Sequence, residues 1–479
     1  MAAGEAEPAG TAGTDGCTPA CGMTGTAKRT PAPETGERPG GSAARVLWAA
    51  LLGFFLITLD ASVVNVALPA MGRELHGGLS ALQWVVDGYT LVFASLMLST
   101  GALSDRIGAG RAFAGGVVVF TVASVACGLA PDLALLIGAR VVQGAAASLT
   151  LPSSLALVRQ AFPDARRRAR AISVWATGGA TAAALGPVVG GALTTAWSWR
   201  AIFFVNLPVG LVALLLAPRA ARSVRRPVPL DLPGQVLAVV ALGGLTFAVI
   251  EQGRAGLAAL IAAVLATAGF LVVESRHPHP VVPLSLFRNA AVAVSVAAGS
   301  ALSVGFYGAL FVLSLFFQEL RGQSALAAGL MFLPMTGLIS TVNVLAGRVA
   351  GRYGPRRPMA AGQFLMIAGL LLLLVVGPRT SAPLLAVMMV PLGLGGALAV
   401  PPLTAVAMEA VPADRAGLAA GVLNTARQIS AGLSIAVFGA LVSDPAHFLP
   451  GMRLGFLLSA ALLALTSTAT LLALRQRSG

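Results

Sequence analysis

Gly178-Gly179-Ala180-Thr181-Ala182-Ala183-Ala184-Leu185-Gly186-Pro187-Val188-Val189-Gly190-Gly191 lies inside a long apolar segment. Within it Gly178, Ala182, Gly186 and Gly190 recur at four-residue steps, which places them on one helix face. Four residues with little or no side chain leave a strip of nearly bare backbone that a second helix can approach closely. Pro187 has no backbone N–H and interrupts the hydrogen-bond ladder in the middle of that strip. A membrane helix with a small face and a bend suits close, sliding contact with another helix. The plainer alternative is a packed membrane helix with a proline kink, and the rest of the chain speaks against it.

The chain has 479 residues, of which 57% are hydrophobic and 10% charged, and its mean hydropathy is +0.85. A soluble globular domain does not carry that much apolar surface. Apolar runs of about 20 residues recur along it, the mark of a polytopic helical membrane protein. A β-barrel would instead alternate polar and apolar residues over about ten residues. The net charge is +14, but the arginines sit in short loops between apolar runs, so nucleic acid is not the expected partner. Residues Met1 to Ala20 have no apolar core, so no cleavable signal is expected and the first span serves for insertion. Three cysteines give no disulfide framework: Cys17 and Cys21 fall in a polar stretch and Cys127 in an apolar one.

Residues 1–45 are rich in Ala, Gly, Pro, Thr and Glu and read as a disordered cytoplasmic tail. Six apolar segments follow within 46–217. Residues 218–289 hold a basic linker with Arg219, Arg222, Arg225 and Arg226, two further spans, and a loop with His277-Pro278-His279-Pro280. That loop reads as stiff rather than metal-binding, and no metal site is expected. Six more segments occupy 290–479. The expectation is an all-α protein of 14 transmembrane helices, two six-helix bundles with two extra helices between them. Internal loops receive most of the arginines, among them Arg106, Arg111, Arg166, Arg167, Arg168, Arg352 and Arg357. External loops receive only Arg73, Arg200, Arg254, Arg321, Arg379 and Arg453. By the positive-inside rule, both termini are cytoplasmic.

A short internal repeat ties the halves together. Gly101-Ala102-Leu103-Ser104-Asp105-Arg106-Ile107-Gly108 follows the second span, and Gly347-Arg348-Val349-Ala350-Gly351-Arg352-Tyr353-Gly354 follows the second span of the last six. Its glycines let helices end and turn tightly. Asp105 can cap or pair there, and Arg106 can face an anionic membrane surface. Paired halves of this kind are typical of secondary transporters.

Ionisable residues inside spans are costly and mark function. Asp60 lies about 14 residues into the first span, roughly 21 Å along the helix. Asp87 lies about five residues into the second, roughly 8 Å, and Arg140 enters the fourth from the same side to a similar depth. Two acids against one base leave one carboxylate without its own cation. Burial and a like charge each favour the protonated form of a carboxyl, so such a group can carry a proton. The alternative is a structural Asp–Arg pair with Asp87 exposed at the interface. Asn424 and Arg427, with Gln428, put polar groups three and four apart on the thirteenth span, where they contact substrate or tie helices together; tying is favoured.

Several stretches, in order, resemble the major facilitator superfamily. The segment at Gly186, Pro187, Gly190 and Gly191 resembles the antiporter motif of its exporters. Gly101, Asp105, Arg106 and Gly108 resemble its signature loop, although Ala109 and Gly110 stand where basic residues are usual and Gly351 replaces the acid in the second copy. Arg140-Val141-Val142-Gln143-Gly144 resembles its fourth-span motif, where the arginine lies near the proton-handling acid of the first span. Trp199 to Gly210 resembles the entry to the sixth span in the 14-span drug:proton antiporter branch. Trp84 to Tyr89 and Pro152-Ser153-Ser154 are similar to methylenomycin-type resistance exporters.

The resemblance implies export of a hydrophobic or cationic drug or antibiotic by alternating access. Asp60, Arg140 and Asp87 would couple protons, and Asn65, Tyr89, Gln143, Asn424 and Arg427 are candidates for the substrate cavity. No cofactor is expected, since the proton gradient drives transport, and no nucleotide-binding loop is found. The expected partners are a small-molecule drug, protons and the lipid bilayer, with the chain a monomer. A proton-coupled symporter taking up a sugar or metabolite is the rival reading, which the glycine strip and the few polar span residues oppose. A membrane enzyme would need a cluster of His, Asp or Cys at one membrane face, which is missing. Arginine used almost to the exclusion of lysine, with abundant Ala and Gly, points to a GC-rich bacterial genome and a cytoplasmic membrane.

Overall fold

The structure is a computed structural model that describes residues 40–217, 231–251, 253–277, 282, 284–412 and 416–473. Cys17, Cys21, the linker arginines and His279 lie outside the described residues. Helices run as α1 (Gly40–Glu74), α2 (Leu79–Ile107), α3 (Ala109–Gly128), α4 (Leu133–Ala161), α5 (Ala165–Ala196), α6 (Ala201–Phe204) and α7 (Asn206–Leu216). Then come α8 (Leu232–Ile250) and α9 (Arg254–Arg276). The remainder are α10 (Ala290–Leu315), α11 (Ala325–Gly337), α12 (Ile339–Tyr353), α13 (Arg356–Leu372), α14 (Ala382–Glu409), α15 (Ala416–Leu441) and α16 (Phe448–Ala473). No strand occurs among the described residues. Gly40–Arg45, expected in the tail, already belong to α1.

Among the described residues, 12 helices are long and apolar enough to cross a membrane, so the protein is a multi-pass membrane protein. Helix also occupies the other two expected spans. Ala201–Leu216 is apolar but shorter, and α15, which carries Asn424, Arg427 and Gln428, is not among the 12. The expected count of 14 is therefore not confirmed. The shorter one has a local cause. Pro208 cannot bond back to the carbonyl of Phe204, and the helix resets at Val205 between α6 and α7.

The repeat read from sequence has a backbone counterpart. Gly108 ends α2 with φ 97°, and Gly354 ends α12 with φ 78°. Both turns need a conformation that residues with a Cβ rarely adopt. In each copy the last glycine sets the turn.

Helices α1–α7 pack largely on one another, as do α10–α16, except that α11 packs most closely on α5 and α15 packs on α2 as well as on α10. The pair α8–α9 lies against α2 and α15, with α8 making the contact. Polar bonds run from α8 to α2 alone: Gln235 bonds the carbonyl of Ser95 and the hydroxyl of Ser99, and Ser80 Oγ donates to Glu251 Oε1 at 2.6 Å.

The two sets meet at the end that carries the α1–α2 turn. Pro69 lacks an N–H, so the carbonyl of Asn65 loses its helical donor; Ser314 of α10 supplies one at 2.8 Å. A π-turn at Phe316–Leu320 aims Gln318 Nε2 at the carbonyl of Val66, 2.9 Å away. Gln83 Nε2 of α2 donates to the carbonyl of Ala436 of α15 at 2.9 Å. Thr336 of α11 donates to the carbonyl of Ala184 of α5 at 3.2 Å. No side-chain hydrogen bond among the described residues joins the two sets at the opposite end.

Candidate functional site

Inside the first helix set, α1, α3, α4 and α7 converge on one carboxylate. Asp60 is fully buried, and its Oδ2 pairs with Arg140 Nη1. Its Oδ1 accepts from Asn206 Nδ2 at 2.8 Å and from Gln143 Nε2 at 3.3 Å. Asn206 also donates to Ser124 Oγ at 2.9 Å, and that hydroxyl donates to the carbonyl of Phe203. Arg140 donates through Nε to the carbonyl of Val85 at 3.0 Å and through Nη1 to Gln143 Oε1 at 3.0 Å. The Tyr89 ring lies under its guanidinium at 4.2 Å, a cation–π arrangement. Cys127 Sγ donates to Gln143 Oε1 at 3.2 Å.

The spacing of the helices makes this fit possible. A Cβ at Gly144 would lie 3.1 Å from the Cα of Tyr89, so α2 and α4 touch backbone to backbone there. That approach brings the Tyr89 ring and the Val85 carbonyl to Arg140, one turn from Gly144 on α4.

A buried pair of this kind is held because both charges have further partners; an uncompensated one would be strongly destabilising. Arg140 is the more richly satisfied of the two. If Asp60 takes up a proton, the guanidinium keeps the Val85 carbonyl, Gln143 Oε1 and the Tyr89 ring. The pair can therefore loosen without orphaning the arginine.

Asp87 stands elsewhere. It is fully buried, and neither carboxyl oxygen has a hydrogen-bond partner. It faces α15, where a Cβ at Gly432 would lie 3.5 Å from Oδ1. Of the two acids and one base expected at similar depth, Asp60 pairs with Arg140 and Asp87 is the carboxylate left without a cation, pointing to the seam between the helix sets.

The glycine strip makes close contact with another helix, and that helix is α1 of its own set. Gly178, Gly186 and Gly190 all face α1 of their own set, at Leu51, Ser62 and Val63. A Cβ at Gly186 would fall inside the Ser62 side chain, and one at Gly190 would lie 2.7 Å from the Val63 carbonyl oxygen. Contact with the other set comes from the adjoining face. Gly191 abuts Ala325 and Leu326, and the carbonyl of Pro187 abuts Gly329 of α11.

Of the cavity candidates, Gln143 belongs to the ion-pair cluster, and Asn65 is buried with its amide turned back to the Ala61 carbonyl at 3.1 Å. Tyr89 is buried under Arg140, its hydroxyl donating to the Ile57 carbonyl at 3.3 Å. Asn424 and Arg427 are partly exposed and make no side-chain hydrogen bond, so they tie no helices together. Asp105 and Arg106 are exposed and unpaired. Near the opposite end from the α1–α2 turn, α1 and α5 form a groove of about 350 Å3, lined by Trp48, Leu51, Phe55, Val174 and Thr177. Asn206, Ser124 and Cys127 were not expected at the site. The signal for Asn206 was an amide two residues before a proline inside an apolar run.

A buried, fully partnered ion pair in one of two helix sets that meet at one end is the architecture of a secondary transporter. The family model described as Major Facilitator Superfamily matches residues 50–435, and the chain belongs to that family. It is 40% identical over 406 residues to the multidrug resistance protein Stp of Mycobacterium tuberculosis, covering 82% of this chain and 74% of that protein. It is 36% identical over 446 residues to the methylenomycin A resistance protein of Streptomyces coelicolor, covering 90% and 94%. With the tetracenomycin C resistance and export protein of Streptomyces glaucescens the identity is 35%, covering 83% and 76%. Among solved structures, a bacterial homologue of the human lysosomal transporter Spinster shares the fold. Its TM-score is 0.65 at 16% identity, covering 91% of this chain and 98% of that one.

Proposed function

We propose that the chain exports a hydrophobic or cationic drug or antibiotic across the cytoplasmic membrane in exchange for protons. The observation that carries this reading is the Asp60–Arg140 pair, sealed from solvent yet built so that Arg140 keeps partners when Asp60 is neutral. Relatives named for multidrug, methylenomycin A and tetracenomycin C resistance support the substrate class. Asp60 carries the proton, Arg140 holds it charged between turnovers, and Asp87 is the second proton- or cation-accepting group, at the α2–α15 seam.

Fourteen spans with both termini in the cytoplasm complete the proposal, on the arginine asymmetry. In that orientation the joined end faces outward, and the α1–α5 groove lies toward the cytoplasmic side. Membrane-impermeant thiol reagent reaching a cysteine at position 223 in intact cells would contradict it.

The test is transport in everted vesicles. Asp60→Asn keeps the shape and removes the titration. It is expected to abolish proton-driven accumulation of drug while drug binding persists. A variant that still concentrates drug with unchanged pH dependence would place the proton path elsewhere.

A further inference from the structure

Arg427 is the one arginine of α15, and it is unmatched. Its Nε is closed off from solvent and has no hydrogen-bond partner. Among the described residues no carboxylate pairs with it. Its stem lies along α10, where a Cβ at Gly299 would meet its Cγ at 3.1 Å. Tyr307 of α10 stands within electrostatic range of it and of Tyr89 of α2. Asn424 shares the face of Arg427, one turn away on α15. Arg427, Asn424 and Tyr307 are all partly exposed, and none makes a side-chain hydrogen bond. A buried guanidinium nitrogen without an acceptor is costly, and the partly exposed face of Arg427 leaves room for a partner from outside the resting protein.

Helix geometry decides against Asp87. That carboxylate faces Gly432, and five residues of α-helix turn roughly 140°. Asp87 therefore meets α15 on a different face from the one Arg427 presents to α10, and pairing them requires α15 to rotate. Arginine is the side chain suited to planar, two-pronged recognition of a carboxylate.

Resting on the export reading above, we propose that Arg427, with Asn424 and the Tyr307 hydroxyl, is a subsite for the acidic group of an amphipathic drug, so that the substrates include carboxylic acids. The acid docks on the second helix set while its apolar body lies between the sets. Proton coupling stays on the first set, at Asp60.

The test uses two probes that differ in one group, pyrenebutyric acid and pyrenebutanol. Both are titrated by fluorescence onto the full-length protein in nanodiscs of uncharged lipid. The acid is expected to bind at least about tenfold more tightly than the alcohol, as a charge-assisted hydrogen bond provides. Arg427→Gln is expected to erase that preference, bringing the affinity of the acid down to about that of the alcohol. Tyr307→Phe is expected to weaken the acid alone, by about threefold, and serves if Arg427→Gln does not fold. No preference in the unmodified protein, a preference that survives Arg427→Gln, or unchanged acid affinity in Tyr307→Phe would each overturn the proposal. Everted vesicles separate the two readings. Proton-driven transport of pyrenebutanol with no gain for the acid overturns the subsite alone, whereas no proton-driven transport of either probe overturns the export reading and the subsite with it.

Discussion

The two helix sets use one scaffold for opposite chemistry. In the first, Gly144 of α4 lets α2 approach at Tyr89; in the second, Gly393 of α14 lets α11 approach at Met335. Tyr89 precedes Gly108 by the same number of residues as Met335 precedes Gly354, so the two joints are in register. Four residues before the glycine stands Arg140 in one set and Met389 in the other; just before it stand Gln143 and Leu392. All four are fully buried. The seam between third and sixth spans differs in the same way. Ser124 and Asn206 lead to Asp60 in the first set. In the second, Gln363 Oε1 accepts from Thr466 and Ser467, and its Nε2 donates to Thr470 at 3.2 Å. That network carries no charge and every member also has a backbone bond. A neutral, self-satisfied joint holds helices together and has nothing to titrate. The charged one holds a carboxylate and a guanidinium out of water, and burying both is why it needs so many partners.

Making the first set resemble the second is the hardest blow. Arg140→Met copies Met389 and leaves Asp60 buried without a cation. It is expected to cost about 3–5 kcal/mol, read by thermal unfolding in detergent, and to end efflux. Adding Asp60→Leu is expected to recover most of that stability and none of the proton-driven transport. Recovery of transport in the double variant would break the comparison.

Gly186→Leu places a side chain where Ser62 of α1 already stands. It is expected to reach the membrane and to lose nearly all efflux, measured as drug accumulation against surface expression. Normal efflux would show that the α1–α5 contact is only packing.

Asn206→Ala and Gln363→Leu sharpen the contrast between the two seams. The first is expected to cost about 1–3 kcal/mol by leaving buried groups unpaired and to shift the pH profile of efflux. The second leaves hydroxyls that keep their backbone acceptors, so it is expected to cost under about 1 kcal/mol with the pH profile unmoved. A pH shift from Gln363→Leu would give the second set a share in proton handling.

The repeated turns are tested on stability alone. Gly108→Ala and Gly354→Ala each force a Cβ into positive φ, at about 1–3 kcal/mol. Equal losses of thermal stability would show the turns to be equivalent; unequal ones would show that only one is under load.

What was legible in the sequence was depth, and what was hidden was direction around the helix axis. Asp60 and Arg140 could be matched because charges in apolar spans need partners and both fell at one level. Asp87 fell at that level too, yet its helix face turns it to Gly432. The glycine strip was readable as a contact face, whereas its partner, α1, depends on how five helices assemble. Asn206 escaped because its aim comes from the break at Val205, a backbone detail that Pro208 causes but composition does not announce. Asn424 and Arg427 read as helix ties, since spacing alone does not tell a bonded polar pair from an open one.

Cys127 gives the ion-pair cluster an observer of its own. Its thiol donates to the same Gln143 oxygen that Arg140 uses, and it is the only free cysteine among the described residues. The sulfur–hydrogen stretch falls in a spectral window that other protein vibrations leave almost empty, and its frequency follows the strength of the bond it makes. Infrared difference spectra, recorded as proton or drug is added, can therefore follow the rearrangement around Asp60 in the unlabelled protein. The spectator is already in place, one hydrogen bond from Gln143, a partner of the Asp60 carboxylate.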